Sequence, residues 1–101
     1  MANQITKSYA LVTGASKGLG AAFVESLASQ GKNVVLVARS YDLLKAIAEQ
    51  IESKYGVQAV VISADLTNPD APKKIKEELD SKNIEVDLLI NFFSVIAWFA
   101  F

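Results

Sequence analysis

Short apolar runs alternate along this chain with stretches whose apolar residues recur at helical spacing. Tyr9 to Thr13 is an apolar run ending at Gly14, the pattern of a strand buried on both faces. From Gly18 to Gln30 the spacing lengthens. Leu19, Ala22, Phe23, Leu27 and Ala28 recur as on one face of a helix, and Gly31 stands where a helix-terminating glycine belongs. Asn33 to Ala38, with its Val-Val-Leu-Val core, predicts a second buried strand. Asp42 to Tyr55 predicts a second helix with Leu43, Leu44, Ile47, Ala48 and Ile51 on its apolar face and Gly56 after its end. Gln58 to Ser63 predicts a third strand. Asn68-Pro69 predicts an N-cap and a first helical position, for a third helix reaching Ser81 with Pro72 disturbing its first turn. Val86 to Asn91 predicts a fourth strand.

The order β-α-β-α-β-α-β implies an α/β fold, with a parallel sheet, right-handed crossovers and helices on both faces. A chain of 101 residues holds one such domain, not two. The 10 basic and 11 acidic residues nearly cancel and form no long run of one sign, so a nucleic-acid partner is not expected. The cluster Lys73, Lys74, Lys76, Glu77, Glu78 reads as the solvated face of a helix. With no cysteine and no histidine, disulfides, thiolate nucleophiles, imidazole bases and the common zinc sites are excluded. The polar start, Met1 to Tyr9, lacks the apolar core of a signal peptide, and a cytoplasmic location is the expectation.

The end of the chain differs in character. Leu88 to Phe101 carries four of the five phenylalanines and the single tryptophan, without charge, glycine or proline. It is shorter than the roughly 18 apolar residues of a membrane-spanning helix, so no membrane partner is expected. The chain therefore divides into residues 1–91, the folded α/β part, and 92–101, a hydrophobic tail.

The segment that carries chemistry is Thr13-Gly14-Ala15-Ser16-Lys17-Gly18-Leu19-Gly20, placed where the first strand hands over to the first helix. A phosphate-binding turn needs small residues there. The backbone must come close to phosphate oxygens, and the N–H groups at the helix start favour an anion. Gly14 suits the tight turn, Gly18 close approach and Gly20 tight packing of the helix. The segment is no P-loop, because Gly18 is followed by Leu19 and not by Lys-Ser/Thr.

The Thr-Gly-x-x-x-Gly-x-Gly spacing resembles that of the short-chain dehydrogenase/reductase family. Asp65, in Ser63-Ala64-Asp65-Leu66, is similar to the family's adenine-contacting aspartate. Asp87-Leu88-Leu89-Ile90-Asn91 looks like the strand leading into the family's Asn-Asn-Ala-Gly motif. The resemblance covers residues 7–91. It implies a partial Rossmann fold with strand order 3-2-1-4, a nicotinamide dinucleotide as partner, and cofactor contacts from Gly14, Ser16, Lys17, Gly18, Leu19, Gly20, Arg39, Ser40, Asp65, Leu66 and Asn91. At the end of the second strand, where an acidic residue would suit NAD, stands Ala38 followed by Arg39. A guanidinium suits a 2′-phosphate, so NADP is favoured, with NAD as the other candidate. Arg39 and Lys17 also read as plain solvated charges, and Asp65 as a turn cap.

The family transfers hydride between NADP(H) and a carbonyl or alcohol, using a serine and a Tyr-x-x-x-Lys pair that lie beyond the segment resembled. Tyr41 and Lys45 match that spacing by accident: they open the second helix, at the adenosine end of a cofactor. After Asn91 the family's Asn-Ala-Gly is replaced by Phe92-Phe93-Ser94, which points to a truncated or out-of-frame end. Three readings stand: a cofactor-binding fragment without activity of its own, a half-enzyme completed by another chain, and a non-enzymatic interaction module using its apolar tail. The fourth strand, left at the sheet edge, is expected to promote self-association together with the tail.

Overall fold

A computed structural model describes residues 8–16 and 18–92 of the chain. Its elements are β1 (Ser8–Thr13), α1 (Gly18–Ser29), β2 (Asn33–Ala38), α2 (Tyr41–Tyr55), β3 (Ala59–Ser63), α3 (Ala71–Ser81) and β4 (Glu85–Asn91). The four strands form one parallel sheet in the order β3-β2-β1-β4. This is the expected partial Rossmann arrangement.

The two central strands are buried at every position after the first, which is why they read as continuous apolar runs. Alternate residues feed two cores. Ala10, Val12, Val34 and Leu36 pack with Val24 and Ala28 of α1 and Leu44 and Ile51 of α2. Leu11, Val35, Val37 and Ile62 pack on the other face with Ile75 and Leu79 of α3. Helices thus cover both faces of the sheet. β4 is an edge strand, and Leu88 on it is 42% exposed. Its pairing with β1 skips Asp87, which reaches instead to Lys32 in an ion pair of 2.7 Å.

Three local expectations are corrected. The buried face of α1 is Gly20, Val24 and Ala28, whereas Leu19, Ala22 and Phe23 are exposed and Leu27 is half-buried. Small residues face the sheet because the helix lies close against the β1 turn, and the large ones are displaced to its flank. On α2, Leu44, Ala48 and Ile51 are buried and Leu43 is exposed. Helix α3 starts at Ala71 with Asp70 as N-cap, not at Asn68-Pro69. Asn68 builds a preceding turn: its Oδ1 accepts the Asp70 N–H at 2.8 Å and its carbonyl accepts the Ala71 N–H at 3.0 Å. Pro72 therefore falls in the first helical turn, where its missing N–H is not needed.

Candidate functional site

The residues singled out by sequence gather at the carboxyl ends of the four strands, because each follows its strand directly: the glycine turn after β1, Arg39 and Ser40 after β2, Asp65 and Leu66 after β3, and Asn91 at the end of β4. Lys17 lies outside the described residues, as does the tail from Phe93 onward.

The glycines differ in what they do. Gly14 and Gly18 have φ of +66° and +63°, a left-handed backbone that other residues enter only at a cost. A Cβ on Gly18 would meet nothing within 4 Å among the described residues, so this position is open there. Gly20 is needed for room: a Cβ there would lie 1.9 Å from the Gly14 carbonyl oxygen and 3.2 Å from the Ala15 Cα. The first turn of α1 is thus locked against the glycine turn. No acidic side chain stands in that first turn, and its leading N–H groups lack intrahelical partners. The arrangement suits an anion. Ser16 stands half-buried in the turn, and Leu19 is 69% exposed at the helix start.

The turn is tied to both neighbouring strands. The Ala15 N–H donates to the Val37 carbonyl at 3.3 Å. Thr13, fully buried, donates its hydroxyl to Asn91 Oδ1 at 2.5 Å and accepts the Phe92 N–H at 3.0 Å. Sequence reasoning did not single out Thr13 as a site residue, although a hydroxyl ending a wholly apolar strand was the available signal. Phe92 packs its Cβ beside Gly14, and its ring rests on Phe23 of α1 with centroids 5.4 Å apart.

Across the sheet, Arg39 is exposed and makes no ion pair among the described residues. Ser40 is the N-cap of α2 but its side chain makes no capping bond. Asp65 Oδ1 accepts the Thr67 N–H at 3.0 Å and the Thr67 hydroxyl at 2.6 Å, which is the turn-capping role read beside the ligand role. Those bonds, aided by the charge of Arg39, hold its carboxyl below the usual carboxylate range. Its Oδ2 has no hydrogen-bond partner among the described residues. A cleft of about 320 Å³ beside it is lined by Ser63, Ala64, Asn68 and Lys74, among others. The Leu66 side chain is turned into the core with Ile62 and Ile75 and offers no surface for a ligand. The accidental pair behaves as an ordinary helix start: Tyr41 is half-exposed and Lys45 pairs with Glu49 at 3.4 Å. No group of three or more metal-ligating side chains, and no helix long and apolar enough to cross a membrane, occurs among the described residues.

The comparisons agree with this geometry. The model of the short chain dehydrogenase family matches residues 8–97, and the chain belongs to that family. Human (Homo sapiens) 17-beta-hydroxysteroid dehydrogenase type 3 is 41% identical over 83 residues, which are 82% of this chain and 26% of that protein. L-sorbose reductase from Gluconobacter frateurii, solved with NADPH and L-sorbose, superposes with a TM-score of 0.77 at 32% identity, covering 83% of this chain and 32% of that one. A short-chain dehydrogenase from Sphingobium yanoikuyae in complex with NADPH gives a TM-score of 0.66 at 37% identity, over 72% of this chain and 28% of that one. The chain spans about a quarter to a third of the length of these relatives.

Proposed function

We propose that this chain is the NADP-binding part of a short-chain dehydrogenase, with Gly14, Ser16, Gly18, Leu19 and Gly20 around the pyrophosphate, Arg39 and Ser40 at the 2′-phosphate, Asp65 and the Leu66 backbone at the adenine, and Asn91 at the floor of the site. The observation that carries this reading is the locked glycine turn, with left-handed Gly14 and Gly18, open space at Gly18, and a helix start free of carboxylates. NADP over NAD rests on Arg39, a cation without an ion-pair partner among the described residues where an acidic side chain would suit NAD. NADPH in the solved relatives supports the same choice.

When bound, the cofactor supplies hydride to, or takes it from, a carbonyl or alcohol carbon. These 101 residues contain no Tyr-x-x-x-Lys pair outside the start of α2, so they bind the cofactor without turnover of their own. We place the protein in the cytoplasm, and we assign the exposed β4 edge, with Leu88, Phe92 and Phe23, to self-association.

Calorimetric titration tests the reading. NADP binds more tightly than NAD, and Arg39→Asp removes the preference by placing a carboxylate against the 2′-phosphate. Equal affinity for the two dinucleotides in the wild type, or a preference that survives Arg39→Asp, overturns the assignment.

A further inference from the structure

Arg39 is exposed and stands between a strand and a helix: β2 ends at Ala38, and Ser40 caps α2. Its guanidinium makes no close ion pair among the described residues, and it acts there on the carboxyl of Asp65 by through-space attraction. The backbone at this residue therefore decides where the side chain starts. On the amino-terminal side the sheet holds it, through the Ala64 N–H donating to the Ala38 carbonyl at 3.0 Å. On the carboxyl side α2 begins, with the Leu44 N–H closing on the Ser40 carbonyl at 3.0 Å. The peptide between them, from Arg39 to Ser40, belongs to neither ladder. Its carbonyl is held by one side chain among the described residues: Ser63, the last residue of β3, donates its hydroxyl to the Arg39 oxygen at 2.9 Å.

We infer that Ser63 is a positioning residue for recognition of the 2′-phosphate, fixing the Arg39–Ser40 peptide so that the guanidinium leaves the strand end in one direction. This rests on the NADP reading above. The hydroxyl is exposed and touches no core. Its removal leaves a carbonyl that water can reach, so the fold is little affected while the peptide gains freedom. A pre-organised cation binds an anion better than one that must be ordered on binding.

The test is a set of titrations with NADP and NAD on Ser63→Ala, Ser63→Val, Ser63→Thr and Arg39→Ala, each variant checked by its melting curve. Removing a single neutral hydrogen bond is expected to weaken NADP binding about three- to tenfold. NAD affinity stays unchanged in Ser63→Ala and Ser63→Val, and Ser63→Thr, which keeps the hydroxyl, retains the wild-type ratio. A ratio that stays at the wild-type value in Ser63→Ala and Ser63→Val, while Arg39→Ala abolishes it, overturns the role of Ser63 and leaves the NADP reading intact. Equal weakening of NADP and NAD also overturns it, because it marks a merely structural role. A wild type without preference, or an Arg39→Ala variant that keeps it, overturns the underlying reading and this inference together.

Discussion

The tightest demand in the fold is at Gly20, and Gly20→Ala tests it. The added Cβ would sit 1.9 Å from the Gly14 carbonyl oxygen and 2.7 Å from its carbon, against a limit of 3.0 Å for real Cβ contacts. Both obstacles are backbone atoms, so no side chain can swing aside. Either α1 lifts from β1 by roughly an ångström or the glycine turn is pushed out. Overpacking of this kind costs about 1–3 kcal/mol, and contact with backbone argues for the upper end. Against that, alanine gains up to about 1 kcal/mol over glycine within a helix. The net loss is then about 2 kcal/mol, which for a domain of this size lowers Tm by about 8–16 °C. Gly31→Ala is the control. Gly31 is also left-handed, at φ +84°, but its Cβ would meet nothing within 4 Å among the described residues. The control therefore loses about 1–2 kcal/mol to backbone strain without disturbing the turn. Melting curves with and without NADP separate the two: Gly31→Ala lowers Tm alone, whereas Gly20→Ala lowers Tm and weakens NADP binding. A Gly20→Ala protein that melts with the wild type and binds NADP equally well would refute the packing argument.

Other consequences are as definite. Thr13→Val leaves the Phe92 N–H and Asn91 Oδ1 without the threonine hydroxyl, and urea unfolding should show a loss of about 1–2 kcal/mol that Thr13→Ser largely restores. Asp87 is held below the usual carboxylate range chiefly by its hydrogen bond from Lys32. Its contribution is complete above the unfolded value and lost as pH falls through the folded one, so stability drops below about pH 4 and Asp87→Asn flattens that slope. Tyr9 is pushed upward chiefly by burial and secondarily by Glu52. Its contribution is complete below the ordinary tyrosine value and declines above about pH 10; an alkaline limb unchanged in Tyr9→Phe would contradict this. Leu88→Lys puts a charge on the exposed edge strand, and sedimentation velocity should show concentration-dependent association in the wild type but not in the variant.

The fold was largely legible because its signals are local. Buried parallel strands read as apolar runs, and glycines punctuate the helices at Gly31 and Gly56. The glycine turn was legible for the same reason, since its spacing falls within eight consecutive residues. What escaped depends on partners distant in sequence. The buried face of α1 could not be found from hydrophobicity, because close approach to β1 selects Gly20, Val24 and Ala28 over Leu19 and Phe23. The start of α3 is set by the Asn68 turn, which competes with capping by the same side chain. The bonds from Thr13 to Asn91 and from Ser63 to the Arg39 carbonyl span 78 and 24 residues. No periodicity announces such pairs; they exist only once the strands are side by side.

The central claim, that this chain binds NADP through its glycine turn and Arg39, is tested most directly by melting the purified protein in rising concentrations of NADP and, separately, of NAD. Binding to the folded state alone stabilises it by about 2.7 kcal/mol at one hundred times the dissociation constant. For a domain of this size that is a rise in Tm of about 10–20 °C. The account predicts that rise with NADP, and a smaller one with NAD at the same concentration. A Tm that ignores NADP, or follows NAD equally, contradicts it.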